Sequence, residues 1–199
     1  MSTAKTRTKT EGEALPPRER ILAAASDLFY RQGIRAVGVE AIADAADTNK
    51  MTLYRHFESK DELIAEYIRR LASCSESIWS ELAERHPNDA KKQLIGWLKL
   101  MGDHINNPKE RGCAIANAAV ELPKKHHPAR CEIERHKQSE RDRLVKLCKQ
   151  AGASKPELLA VELFLLIEGA RVCAQSMGQE GPAARLGRMG EAIIASHMN

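Results

Sequence analysis

The chain has 199 residues, a formal net charge of +4, 43% hydrophobic residues and 4% aromatic residues. This is an ordinary globular mixture, and its small basic excess permits a polyanionic partner without requiring one. Its five cysteines are widely spaced and include no C-x-x-C pair, which argues against a disulfide framework and a structural zinc site. The length fits one large domain, or a small domain joined to a larger one.

Neither a secretory signal nor a membrane span is predicted. The N-terminal residues are polar, and the longest apolar run, 158–167, is interrupted by Glu162 and too short for a bilayer. A histidine- and cysteine-containing segment, 126–136, is basic and surface-like, so we expect no metal there. These patterns predict a cytoplasmic protein without a cofactor and without a membrane partner.

The chain begins with a polar stretch, residues 1–15, that has no hydrophobic period and is expected to be a disordered basic arm. A solvated tail is the favoured interpretation, and contact with DNA phosphates is the alternative. Pro16-Pro17 then marks the start of a first helix, because proline is tolerated in a first turn. This helix carries apolar residues at helical spacing and ends at Gln32-Gly33.

Two short helices follow, at about 39–46 and 50–57, with Asp47 and Thr48 in the turn and Asn49 as the cap of the second. Leu53 and Phe57 should face the first helix. The opposite face is polar and cationic, which is the division that a recognition helix in a helix-turn-helix needs.

Further helices are predicted at about 60–86, 89–105, 113–122, 129–150, 157–177 and 183–197. Together with the three N-terminal helices, these make nine predicted helices, and no segment shows a convincing strand pattern. The predicted fold class is therefore all-α, with an N-terminal three-helix helix-turn-helix domain and a larger C-terminal helical domain.

Three segments carry a family resemblance: 42–46 (IADAA), 51–57 (MTLYRHF) and 59–63 (SKDEL). Together they resemble the signature of the TetR/AcrR family of repressors, over about residues 18–70. The resemblance implies a DNA-binding domain at 16–60 and a ligand-binding and dimerisation domain at 61–199. It also implies that the chain is a regulator and not an enzyme.

The resemblance places eight residues against double-stranded DNA at a palindromic operator: Asn49, Lys50, Met51, Thr52, Tyr54, Arg55, His56 and Lys60. Tyr54, His56 and Lys60 would hold phosphates and set the register. Lys50 and Thr52 would lie nearest the base edges.

The sequence departs from the family pattern at three positions. Asp47 stands where glycine is usual in the turn, and aspartate tolerates a left-handed backbone better than most residues. Met51 adds bulk where a small residue is common, and the second helix starts Val37-Gly38-Val39, where threonine is common. We expect these changes to alter the operator sequence and to leave DNA binding intact.

The last two long helices, at about 157–177 and 183–197, are the expected homodimer interface. The segment 158–167 is apolar nearly all round, so it must be buried on several sides. Two such helices from each subunit would form a four-helix interface. The alternative is that both helices complete the core of a monomer.

Six residues of the C-terminal region are candidates for binding a small-molecule inducer of unknown identity: Trp97, Met101, Cys113, Asn117, Phe164 and Glu168. Most form pairs one turn apart on a helix. The alternative for each is an ordinary core or surface role, because pockets are lined by core residue types. Glu168, within an apolar helix, needs a partner, which could be a cationic ligand, Arg171 or a residue across the interface.

The leading functional hypothesis is a nucleoid-associated repressor that a small-molecule inducer releases from its operator. The alternative is a thiol-based redox or electrophile sensor acting through Cys113, which lies at a helix start beside Arg111. An enzyme with a DNA-binding appendage has no nucleophile–base pair or phosphate loop to support it. An architectural protein without a signal would have a collapsed C-terminal core.

Overall fold

A computed structural model describes residues 15–178 and 180–198, which form nine α-helices and one 3-10 helix with no strand among them. The expected all-α fold class is thus confirmed. The arm predicted at 1–15 lies outside the described residues apart from Leu15. The helices are α1 (Pro17–Gln32), α2 (Val39–Ala45), α3 (Lys50–His56), α4 (Lys60–Arg85), α5 (Ala90–Ile105), α6 (Ala114–Glu121), α7 (Pro128–Gln150), α8 (Pro156–Met177) and α9 (Leu186–His197).

The boundaries of the first four helices follow from local chemistry. Gly33 ends α1 with a positive φ of 89°, which is a conformation that costs glycine little. Asp47 adopts a φ of 49° in the turn between α2 and α3, as the sequence predicts for this position. The side chains of Asn49 and Ser59 accept hydrogen bonds from Thr52 N and Glu62 N, and so cap α3 and α4.

One hydrophobic core lies beneath α1, α2 and α3. Leu53 and Phe57 are buried against α1, as expected, together with Ile21 and Ile42. The same core continues through the first turns of α4 into α6 and the start of α7. Apolar packing therefore crosses residue 60, where the sequence predicts a domain boundary, and that division stays a prediction.

A second core joins the C-terminal half of α4 to α5, α7, α8 and α9. Trp79 of α4 and Trp97 of α5 stack within it, with ring centroids 5.6 Å apart. The final helix differs from the prediction of one helix at 183–197, because a 3-10 helix, Pro182–Arg185, precedes α9. Such tighter turns are common at the ends of α-helices.

Helix α8 buries one face and exposes the other. Leu159, Leu163 and Ile167 are buried against the rest of the chain. The expectation of burial on several sides is therefore not met within one chain. Among the described residues, no helix combines the length and the hydropathy that crossing a membrane requires.

Candidate functional site

Helix α3 presents a polar face to solvent over an apolar anchor. Leu53 is fully buried, whereas Lys50, Tyr54, Arg55 and His56 are exposed. Asn49 and Met51 are exposed beside them, and Thr52 is half-buried. Seven of the eight residues predicted to meet DNA therefore lie on one short helix and its cap, while their DNA contacts stay a prediction.

Two cations of the helix-turn-helix unit, Lys50 on this face and Arg20 on α1, pair with acids of the same unit. Lys50 Nζ lies 2.6 Å from Glu40 Oε1 of α2, and Arg20 Nη1 lies 3.4 Å from Asp47 Oδ2. The pair raises the pKa of Lys50 and lowers the pKa of Glu40, through their hydrogen bond and mutual attraction. Both side chains are exposed, so this ion pair can open at little cost when another anion arrives.

Lys60, the eighth predicted DNA contact, begins α4. Its Nζ donates a hydrogen bond to the carbonyl oxygen of Ile34, 2.8 Å away, in the connection between α1 and α2. Partial burial lowers the pKa of Lys60, against the attraction of Asp61 and Glu121. Lys60 therefore ties the start of α4 to the helix-turn-helix as well as carrying a charge.

A cavity of about 590 Å³ lies between α1, α4, α5, α6, α7 and α8. Its walls are largely apolar and aromatic, with Tyr30, Tyr67, Trp79 and Trp97 among them. Its volume and its mainly apolar lining fall within the range found for small-molecule sites. Three of the six predicted ligand residues, Trp97, Met101 and Cys113, line this cavity. Their role in binding a ligand stays a prediction.

The other three predicted ligand residues lie elsewhere. Asn117 lines a separate, more polar cleft of about 630 Å³ beside α6, and its side-chain nitrogen donates to the carbonyl of Arg111. Phe164 lies under the ammonium of Lys137, 5.5 Å from the ring centroid. Glu168 accepts hydrogen bonds from Lys137 and Arg171, so its partners are residues of the same chain.

Tyr30 joins α1 to the connection between α5 and α6 at the cavity wall. Its hydroxyl donates to Glu110 Oε2 at 2.6 Å and accepts from the backbone N–H of Arg111 at 2.6 Å. Burial, followed by the bond to Glu110, raises the pKa of Tyr30 to about 12, so the hydroxyl stays protonated. Arg111 also donates a side-chain hydrogen bond back to the Tyr30 carbonyl, 3.2 Å away.

Arg171 of α8 enters the same cavity with its side chain only 11% exposed. Burial opposes its charge, but the nearby Cys113, Glu168 and Glu140 together raise its pKa, so the guanidinium stays charged. Glu168 is in turn held by Lys137 Nζ at 2.9 Å, which keeps the carboxylate in place. The sequence signals for Tyr30, Glu110 and Arg171 are weak, because these residues lie in separate helices and loops.

Cys113 caps α6 and faces the cavity. Its Sγ accepts a hydrogen bond from Ala116 N at 3.5 Å. Cys74 also lines the cavity, whereas Cys148 is buried elsewhere and burial raises its pKa to about 11. The thiols of this chain therefore differ in access, and Cys113 is one of those a ligand in the cavity would meet.

Two histidines of the segment 126–136, His127 and His136, serve structural roles. His127 caps α7 by accepting from Ala129 N at 3.1 Å, and its Nε2 lies 3.3 Å from Asp61. His136 is buried with its Nε2 3.4 Å from Glu140. Within residues 15–178 and 180–198, no group of three or more potential ligands could hold a metal ion.

Comparison with known families supplies the decisive observation. Residues 21–67 match the bacterial regulatory proteins of the tetR family, and residues 90–189 match the tetracyclin repressor-like C-terminal domain. The chain belongs to the TetR family. Regulators of this family bind DNA and form dimers, so the chain is a transcriptional regulator with an N-terminal DNA-binding domain, and not an enzyme.

Individual relatives agree with the family. A TetR-family transcriptional regulator from Streptomyces coelicolor has 28% identity and a TM-score of 0.86, over 92% of this chain and 96% of that one. The transcriptional activator FasR of Mycolicibacterium smegmatis is 44% identical over 62 residues, 30% of this chain and 28% of FasR. The transcriptional repressor KstR2 of Mycobacterium tuberculosis is 36% identical over 119 residues, 60% of this chain and 50% of KstR2. The chain thus matches half or less of the length of these two relatives.

Proposed function

We propose that this regulator is a homodimeric repressor that leaves its operator when a small molecule fills the cavity. The observation that carries the proposal is the double role of Tyr30, which lines the cavity and bonds to the connection between α5 and α6. A ligand that displaces this connection would also shift α1, because Tyr30 bonds the two together. The buried face of α1 packs against the recognition helix, so that helix would move as well. We also propose that the eight predicted residues contact DNA and that the protein is located in the cytoplasm, associated with the nucleoid.

The exposed face of α3 supports the operator-binding half of the proposal. In this proposal Tyr54, His56 and Lys60 would hold phosphates, while Lys50 and Thr52 would lie nearest the base edges. Asn49, Met51 and Arg55 flank them. The exposure of Tyr54, His56 and Lys50 supports these roles. Two copies of this face, about 34–36 Å apart, would read successive major grooves of a palindromic site.

The exposed apolar side chains of α8 and α9 support the dimer half. They are Leu158, Val161, Leu165, Val172, Met177 and Met189. Four of them recur at intervals of three, four and seven residues on α8, which places them on one stripe. An unpartnered apolar stripe on a long helix favours pairing with a second copy through α8 and α9.

The coupling between cavity and operator can be tested with the two tryptophans of the chain, since both lie in the cavity wall. Operator DNA, found by gel shift on the DNA upstream of the gene, is titrated into the purified protein while tryptophan emission is recorded. We expect a change in emission on binding, because coupling between two sites is reciprocal. In the Tyr30→Phe variant, the operator should still bind but the change in emission should be largely lost.

Tyr67→Phe is the matched control. Tyr67 lines the same cavity and is buried, but the hydroxyl is not among the hydrogen-bonded groups of the described residues. This variant should keep the emission change. Equal changes in Tyr30→Phe and in the unmodified protein would refute coupling through Tyr30. A reporter gene whose expression rises when the protein is supplied would refute repression.

A second candidate function is thiol-based sensing through Cys113. The observation that favours it is that the Cys113 Sγ lies in the cavity wall and accepts a hydrogen bond at the start of α6. Addition of the Cys113 thiol across the double bond of N-ethylmaleimide would place a covalent adduct in the cavity. Cys113→Ser should then abolish maleimide-induced operator release, whereas Cys131→Ser, at an exposed site on α7, should not. Release that persists in Cys113→Ser would exclude this mode.

A further inference from the structure

The cavity contains one strongly basic side chain among its described lining residues, and that is Arg171. The surrounding walls are built mainly from aliphatic and aromatic groups, including the stacked pair Trp79 and Trp97. A buried guanidinium in such surroundings needs acceptors on all its N–H groups, because each unpaired donor costs free energy.

The partners of Arg171 cover one side of its guanidinium. Nη1 donates to the carboxylate of Glu168. Nη2 contacts the sulfur of Met101 at 3.6 Å, and a thioether is a weak acceptor. Nε is buried without any partner. Nε and Nη2 share one edge of the planar group, and an oxygen acceptor is missing along that edge.

The carboxylates that line the cavity do not supply this acceptor. Asp27 and Glu81 pair with arginines of their own helices, at Arg31 and Arg85. Glu110 accepts from Tyr30, and Glu140 lies 3.4 Å from Lys137. The lining acids therefore have other partners, and the Nε and Nη2 edge of Arg171 is left without an oxygen acceptor.

We infer that the ligand of this cavity is an apolar or aromatic carboxylate, whose carboxylate Arg171 binds side-on. The inference rests on the proposed function, in which this cavity is the effector site. Two parallel N–H···O bonds from Nε and Nη2 match the geometry of a carboxylate. The apolar body of the ligand would lie against Trp79 and Trp97. Glu168 accepts hydrogen bonds from Lys137 and from Nη1 of Arg171, and so fixes the orientation of the guanidinium.

Met101 is the side chain that must move for this contact to form. Its sulfur lies against Nη2, and the residue is only 7% exposed. Methionine is unbranched and has several rotatable bonds, so it can leave this position without displacing the backbone. The thioether thus covers the Nη2 end of this edge of Arg171.

Three probes with one skeleton test the inference: 6-phenylhexanoate, its primary amide and 6-phenylhexylamine. Their dissociation constants for the full-length protein are measured by calorimetry at neutral pH, where the acid and the amine are charged. We expect the carboxylate to bind about ten- to a hundredfold more tightly than the amide, as a paired charge in a buried site implies. The amine should bind most weakly.

Arg171→Gln should erase this preference while the amide keeps its affinity. Because Arg171→Gln leaves Glu168 with one partner fewer and could unfold the chain, Arg171→Lys provides a second variant that keeps the charge but loses the two-point contact. Arg171→Lys should retain only part of the preference. Arg143→Gln is the matched control, because Arg143 contacts the ring of Trp79 from a different cleft and should leave the preference unchanged.

The outcomes separate this inference from the proposed function. Equal affinity for acid and amide, tighter binding of the amine, or no binding of any probe would overturn the inference. Operator release by an uncharged or cationic compound would overturn it too, while the proposed function would stand. A carboxylate preference that depends on Arg171, without any effect on operator binding, would support the inference and count against inducer release.

Discussion

Glu40 of α2 and Lys50 of α3 form an ion pair across the turn of the DNA-binding unit, with Oε1 and Nζ 2.6 Å apart. Lys50 is, with Thr52, one of the side chains expected nearest the base edges, and its charge is paired with an acid of its own domain. This acid also adds negative charge to a surface that should approach phosphates.

Replacing this acid should strengthen DNA binding. In Glu40→Gln, Lys50 is released and one repulsive charge disappears, so affinity for operator and unrelated DNA should rise a few-fold and fall more steeply with salt. Fluorescence anisotropy over a salt series measures both effects. Glu84→Gln makes the same change of net charge at an exposed site on α4, and should have little effect. Equal gains in the two variants would show that only net charge matters.

Lys60 should contribute to affinity without selecting sequence. Lys60→Gln removes the charge but keeps a donor for the carbonyl of Ile34. Binding should weaken for all duplexes alike, and the slope of log affinity against log salt should fall by about one. Lys99→Gln, at an exposed position of α5, is the charge control. A loss confined to the operator would instead assign Lys60 a role in base recognition.

Stability should depend on pH through His136. Burial, against the attraction of Glu140, lowers its pKa below the ordinary value of 6.5, so the unfolded chain binds the proton first as pH falls. The free energy of unfolding should therefore rise with pH through that value. Denaturant unfolding at fixed protein concentration measures this free energy. It should rise less steeply with pH in His136→Asn than in the unmodified protein, and in more basic buffer the two proteins should show the same dependence on pH. Identical slopes on the acid side would contradict this.

Two glycines of α9 should respond oppositely to alanine. A Cβ at Gly190 would come within 2.6 Å of Leu98 Cδ1, so Gly190→Ala should destabilise the chain by about 1–3 kcal/mol. A Cβ at Gly187 meets nothing within 4 Å, so Gly187→Ala should be neutral or stabilise by about 0.5–1 kcal/mol through helix propensity. Thermal unfolding of both variants compares them. Stabilisation by both substitutions would show that helix propensity outweighs the contact between α9 and α5, and destabilisation by both would contradict the open space at Gly187.

The proposed dimer makes Leu165 sensitive to charge. This side chain is 64% exposed in one chain, at the middle of the apolar stripe of α8. Leu165→Lys should place two charges in the interface, shift the protein to monomer and weaken operator binding severalfold. Sedimentation measures the mass. Val120→Lys, at an exposed apolar residue of α6, should remain dimeric. A dimeric Leu165→Lys protein would move the interface away from α8.

The DNA-binding unit could be predicted closely because its signals are local. The caps at Asn49 and Ser59, the left-handed turn at Asp47 and the buried positions of Leu53 and Phe57 all follow from short-range rules. The cavity depends on less local signals, and the binding role of the six predicted ligand residues stays a prediction. Trp97, Met101 and Cys113 line it, but Asn117, Phe164 and Glu168 lie outside its lining.

What the sequence determined by itself is the set of helices, the polar face of α3 and the family. These depend on hydrophobic period, capping residues and a contiguous motif, all of which act within a few turns. Only the tertiary structure decided that Tyr30, Glu110 and Arg171 share one cavity and that one edge of Arg171 lacks an oxygen acceptor. Contacts between side chains that are far apart in sequence depend on how the helices pack against each other. The hydrophobic period within one helix does not determine that packing.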